Sequence, residues 1–224
     1  MASTTTAGYG RVWDRRLGEL PDPPKEHLYT RGDRIQEALR APTVAVVGAR
    51  ACSGYGAHVA RMLARDLASA GVTVVSGLAR GVDGEAHRGA LDADGLTVAV
   101  LGCGIDRDYP ACHAELARRI AARGGVVSEY EPGTEPAPWR FPARNRIIAA
   151  LADAVVIVEA RNRSGALITV DLAMEIGRPI YAVPGEITSN LSEGTNDLLR
   201  HGHATAITSA LDVLDALGIQ RAST

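Results

Sequence analysis

The chain has 224 residues, 46% of them hydrophobic, with 24 Lys+Arg against 26 Asp+Glu for a formal net charge of −2. That length and apolar content suit one sizeable packed domain, and the near-neutral balance excludes a globally basic nucleic-acid binder, so any such binding rests on a local patch. Cys52, Cys103 and Cys112 are odd in number and lack C-x-x-C spacing, which argues against a disulfide framework or a structural zinc site. No apolar run reaches the roughly 18 residues of a membrane span, and the start, MASTTTAGYGRVWDRR, shows no signal-peptide core. A cytoplasmic protein with no cofactor, metal or membrane contact is expected.

Taken in chain order, residues 1–12 read as a small, polar, flexible tail, and LGELPDPPKEHLYTRGD (18–33) as a Pro-rich extended lead-in. RIQEALRAP (34–42) reads as a short helix stopped by Pro42. From residue 43 the pattern alternates. Strand-like runs fall at 43–48, 72–77, 97–102, 125–130, 154–160 and 179–185. Helical patterns fall between them at about 55–70, 83–94, 113–123, 143–152 and 165–177, then at 195–201 and 209–217. The runs are apolar throughout, as parallel strands buried on both faces require. Strands separated by helices imply right-handed crossovers. The expectation is an α/β fold with a doubly wound, mostly parallel sheet, an extended Rossmann-like fold in a single domain. Its divisions would be a 1–33 tail and lead-in, a 34–208 core and a 209–224 terminal helix and tail.

In such folds ligands bind at the carboxyl ends of the strands, and there the first loop, VVGARACSGYG (46–56), combines glycines with the start of a helix. Free N–H groups and the helix dipole make that arrangement an anion site. The glycines at 48, 54 and 56 miss the G-x-G-x-x-G spacing of dinucleotide loops, and nothing acidic follows strand two until Asp83. The loop has no lysine, so a Walker A phosphate loop is disfavoured as well. It does offer Gly48, Arg50, Ser53 and Gly54. On its spacing alone Arg50 is either a phosphate-gripping fork or a solvated arginine on a structural turn.

Strand two ends in Ser76, Gly77, Arg80 and Gly81, with Asp83 and His87 beyond. FPARNRIIAAL places Arg144, Asn145 and Arg146 in what reads as a first helical turn, where basic residues oppose the dipole and suit a bound anion better than helix stability. Strand five ends in Arg161, Arg163, Ser164, Gly165 and Thr169, and strand six in Gly185, Gly194, Thr195 and Asn196. The arginines at 50, 80, 144, 146, 161 and 163 thus share one expected rim, as a phosphate backbone would require. Tyr109, Tyr130, Trp139 and Phe141 are candidate stacking platforms for unpaired bases.

With these motifs in order, from LPDPPKEHLYTRGD through VAVVGARACSGYG, VVSGLARGVDGEAHRGAL, FPARNRIIAAL and VVIVEARNRSGALIT to AVPGEITSNLSEGTNDLLR, the chain resembles the DNA-processing protein A (DprA/Smf) family over roughly residues 18–203. The resemblance implies a domain that binds single-stranded DNA without sequence preference in natural transformation and recombination, protects the strand and loads the RecA recombinase. It also implies a homodimer formed through the C-terminal part, and no catalysis. It carries Arg50 over as a phosphate ligand, Arg144 and Arg146 as a basic rim, and Ser164, Gly165 and the Gly-Thr-Asn at 194–196 as pocket walls. Two local departures are Ala111 and His113 in YPACH, where the family commonly has Asn with a lysine nearby, and His203 where a small residue is usual. The length leaves no room here for the helical and winged-helix domains that family members often carry.

Two other classes compete. One is a nucleotide-processing hydrolase of the lysine-decarboxylase-like group, but its Pro-Gly-Gly-x-Gly-Thr loop is replaced by RSGALITVDLAME. Asp83, Glu129, Glu159 and Glu175 would have to supply its chemistry, against their ordinary roles in capping and arginine pairing. The other is a nucleotide sensor using the same pocket without turnover.

Overall fold

The computed structural model describes residues 8–219. One nine-stranded sheet runs through it in the order β1-β2-β6-β5-β4-β3-β7-β8-β9. Its parallel centre comprises β3 (Thr43–Val47), β4 (Thr73–Ser76), β5 (Thr97–Val100), β6 (Gly125–Ser128), β7 (Ala154–Ile157) and β8 (Ile180–Ala182). Each of the six sits inside an apolar run of the sequence. Val44 and Val46 face one core and Ala45 and Val47 the other, so both faces of β3 are buried and the run cannot alternate.

Helices α1 (Ile35–Arg40), α5 (Arg140–Leu151), α6 (Gly165–Glu175) and α7 (Glu193–Arg200) cover one face. On the other lie α2 (Gly54–Ser69), α3 (Val82–Asp92) and α8 (Ala210–Ala216), while α4 (Ala114–Arg123) packs over β5 and β6 beside α3. The sheet is therefore doubly wound. The chain winds outward from β3 to β6 on one side and from β7 to β9 on the other, so the order reverses between β3 and β7.

Part of the expected flexible tail is strand, and the extended lead-in ends in another. Gly10–Val12 (β1) and Leu28–Arg31 (β2) form an antiparallel hairpin that joins the sheet against β6. Between them a 3-10 turn, Arg15–Glu19, buries Leu17 and Arg16. Residues 1–7 lie outside the described residues. The 209–224 division does contain its helix, but α8 packs on α2 and buries Val213 and Leu214, so it belongs to the core; residues 220–224 are not among those described. Beyond the 179–185 run, β9 (Thr205–Ala206) pairs with β8 and continues the sheet.

Candidate nucleic-acid interface

Two cavities open at the carboxyl ends of the parallel strands. The first, about 440 Å³, lies at the β3/β7 reversal and is lined by Gly48, Arg50, Asn145, Arg161, Ser164 and Thr169, among others. The second, about 430 Å³, lies toward β4 and β5 and includes Arg80, Tyr109 and Phe141 in its wall. Arg50 and Arg144 line both, so the cavities share an arginine partition. Each falls in the size range of ligand sites.

The first loop is packed tightly. A side chain on Gly48 would meet the Glu159 carbonyl and Val82 at under 3 Å (2.9 and 2.8 Å). The N-terminus of α2 already holds an anion of the protein itself. Glu159, 4% exposed, accepts from the Ser53 N–H at 2.9 Å and from the Ser53 hydroxyl at 2.5 Å, and that hydroxyl accepts the Gly56 N–H at 3.0 Å. The expectation of an open anion site there is corrected: Ser53 is engaged with a carboxylate, and Gly54 is an exposed helix opening outside both cavities. Arg50 is left free above this cap, with its guanidinium 5.3 Å from the Phe141 ring centroid. Phe141 stacks in turn on Tyr109 at 5.2 Å.

The second loop is braced by Asp83. Its carboxylate accepts the N–H groups of Gly77 and Ala79 at 3.2 and 3.4 Å. Ser76 is fully buried and donates to the Val46 carbonyl, so it ties strands together and does not face ligand. Leu78 sits at φ 58 and Gly81 at φ 73; a side chain on Gly81 would lie 2.2 Å from the Ala49 carbonyl oxygen. Only glycine tolerates both the backbone and the approach. Arg80 beyond is exposed and reaches the second cavity.

Helix α5 begins at Arg140, earlier than the sequence pattern suggests, so Arg144 and Arg146 are not in its first turn. They therefore sit beyond the positive end of the helix dipole, and the two arginines differ. Arg144 is 3% exposed; Nη1 donates to the carbonyls of Gly77 (2.7 Å) and Val100, and Nε to the Asn145 side chain. Burial pulls its pKa down to about 10, partly offset by Asp83, so it stays charged at neutral pH. Asn145 donates to the Gly165 carbonyl at 3.1 Å and links α5 to the start of α6. Arg146 departs from the expected rim. Both its terminal nitrogens donate to the Glu129 carboxylate at 2.7 Å, and Nε donates to the Asp22 carbonyl.

The start of α6 contrasts with that of α2. Ser164 is its N-cap residue but makes no capping bond, and its buried hydroxyl has no partner among the described residues although it lines the first cavity. Gly165 leaves open space beside it, so this helix end can receive an anion. Thr169 is buried in the cavity wall one turn on. The third expected wall is displaced. The Asn196 amide brackets Gly185, accepting its N–H and donating to its carbonyl, and Thr195 is buried on the Ser192 carbonyl. Gly185, Thr195 and Asn196 brace the loop that carries Leu191 into the first cavity and line neither cavity themselves.

None of Arg50, Arg80, Arg161 and Arg163 pairs with a carboxylate among the described residues, whereas Arg31, Arg61, Arg88, Arg146 and Arg178 all do. Arg163, at φ 57, turns into a separate groove with Asp197 and His203. Pro138, Pro142 and Leu191 are wall residues that no sequence signal marks. The carboxylates a hydrolase would need are dispersed: Glu129 is held by Arg146, Glu159 by Ser53, Asp83 by two amides, and Glu175 lies exposed at the far end of α6.

The model of the family DNA recombination-mediator protein A matches residues 6–218. The putative DNA processing protein DprA of Mycobacterium tuberculosis is 49% identical over 191 residues, covering 85% of this chain and 49% of that one. The chain therefore spans about half the length of that relative. The X-ray structure of DNA processing protein A from Streptococcus pneumoniae superposes with a TM-score of 0.87 at 40% identity, covering 94% of this chain and 74% of that one. DNA processing protein A from Helicobacter pylori, studied for its single-stranded DNA binding mode, gives 0.86 at 34% identity, with 96% and 97% covered.

Proposed function

The chain belongs to the DNA recombination-mediator protein A (DprA/Smf) family, and from that premise we propose that its twin cavities bind single-stranded DNA without sequence preference and without catalysis. The carrying observation is the free arginine set, Arg50, Arg80 and Arg161, gathered with buried Arg144 around both cavities while most other arginines are neutralised. A phosphate at the Arg50–Arg144 partition would leave one nucleotide on either side, one toward the unpartnered Ser164 hydroxyl and one toward the Phe141–Tyr109 stack. Phosphate contacts of this kind position a strand without reading its bases. The single-stranded DNA binding of the Helicobacter pylori relative supports the reading.

In this reading the protein acts in DNA processing during transformation and recombination, in the cytoplasm, shielding the strand and passing it to RecA. Protomers associate through the C-terminal third, where exposed Ile168 and Met174 border the groove shared with His203. Sedimentation of the protein with labelled oligothymidine, the matching duplex or mononucleotides tests it. The expected result is a complex with the single strand that contains two protomers, and weaker binding to duplex. Preference for duplex, or for a mononucleotide over the strand, would sink it.

A further inference from the structure

Trp139 is 62% exposed, more than any other aromatic side chain among the large exposed hydrophobics. An indole left largely in water forgoes burial worth having, yet this one is not adrift. The Arg140 guanidinium lies 4.7 Å from its ring centroid and 5.2 Å from that of Tyr130, and Arg140 donates to the Glu135 carbonyl. The indole thus rests on a cation that is itself held in place. Its neighbours fix its position relative to the site. Pro138 lines the first cavity and Phe141 the second, so Trp139 stands where the chain passes from one wall to the other. It lines neither cavity. A flat π-face beside a guanidinium, most of it exposed, is the platform that an unstacked base prefers; bases inside a duplex offer no free face to it.

Resting on the proposed binding of single strands, we propose that Trp139 stacks on a nucleobase outside the two cavities, extending the footprint beyond the arginine partition. The contact is to a base face, so it adds affinity for any unpaired sequence and neutralises no phosphate.

The chain has two tryptophans, and Trp13 lies at the opposite pole, in a groove with Pro42 and Asp153 at the start of β3 and β7. Trp13→Phe therefore makes Trp139 the sole indole. Its emission, titrated with oligothymidine and with an abasic strand of equal length, should be quenched by the first and not by the second. By anisotropy, Trp139→Ala should weaken oligothymidine binding about ten-fold and Trp139→Phe less than about three-fold, each with an unchanged salt slope. Full-affinity binding of oligothymidine without quenching overturns the inference. So does Trp139→Ala binding DNA like the parent, including the case in which it loses only protein–protein association. Absence of oligothymidine binding by the parent protein removes the underlying reading as well, and so differs visibly from failure of the stacking contact alone. Should Trp139→Ala fold poorly, the quench and Trp139→Phe decide.

Discussion

Whether an arginine is free or already neutralised divides the site's cations by role. Arg50 has no carboxylate partner among the described residues and lies over the Phe141 ring, whereas Arg146 is locked on Glu129 with both side chains about 15% exposed. Arg50→Ala should therefore reduce single-strand affinity by about one to two orders of magnitude, the worth of roughly 1.5–3 kcal/mol for hydrogen bonds to a charged group. Its melting temperature should not move, and Arg50→Lys should recover only part of the loss because lysine lacks the fork. Arg146→Ala should do the reverse, strand Glu129 and lower the melting temperature with little loss of affinity. Paired titrations and thermal melts of the two variants check this; equal affinity losses would place Arg146 back on the rim. Sequence alone could not separate them, since both stand in one basic motif and the difference is set by Glu129, 17 residues away and on another strand end. Ser53 and Glu159 teach the same lesson. The motif shows a helix start fit for an anion, but not that the protein supplies the anion from a distant strand.

At the level of elements, legibility followed burial. The six parallel strands were visible because both of their faces are covered, and the eight helices of the described residues because most of their ends lie beside Gly, Pro or Ser. The hairpin of β1 and β2 was hidden, because a Pro-rich polar stretch separates two strands of three and four residues. What fixes that segment is a polar clasp. Arg16, 8% exposed, donates to both carboxylate oxygens of Asp14, to the Thr43 hydroxyl, to Asp153 and to the Leu39 carbonyl, tying the lead-in to β3 and β7. Burial alone would raise the Asp14 pKa, but the hydrogen bonds and charge of Arg16 outweigh it and hold the carboxyl below its ordinary value. A carboxyl depressed in the native state stabilises it fully above the unfolded value, near 4, and loses that contribution as pH falls through the native value. Asp14→Asn should thus cost about 3 kcal/mol at neutral pH, the scale of a broken buried pair, or roughly 10 °C in melting temperature for a chain of this size. The gap from wild type should close as pH falls below about 4. Thermal melts across that range test it, and a gap independent of pH would show that Asp14 acts through shape and not charge.

Across the whole molecule, a net charge of −2 conceals an uneven distribution. Arg50, Arg80 and Arg161, unpaired among the described residues and with Arg144 beneath them, cluster at the carboxyl pole of the sheet; Arg15 and Arg40 are likewise unpaired in the groove at the opposite pole, while Arg31, Arg61, Arg88, Arg123 and Arg178 are held by carboxylates on other surfaces. Global charge therefore contributes nothing to attracting a nucleic acid, and the attraction must be local and short-ranged, since exposed charges are screened beyond about 10 Å. Counterion release then counts the contacts. One phosphate at the Arg50–Arg144 partition and one each on Arg80 and Arg161 predict a logarithmic salt slope of about −2, at about 0.7 per phosphate of a single strand. Affinity should fall roughly 20-fold between about 50 and 200 mM salt. Arg80→Ala and Arg161→Ala should each reduce the slope by about 0.7, while Arg40→Ala, in the groove at the opposite pole, should leave it unchanged. Anisotropy titrations of labelled oligothymidine across that salt range measure all four slopes. A slope near zero would show that the strand is held by stacking alone, and an equal reduction from Arg40→Ala would spread the binding surface over both poles; either result removes the arginine partition from the centre of the site.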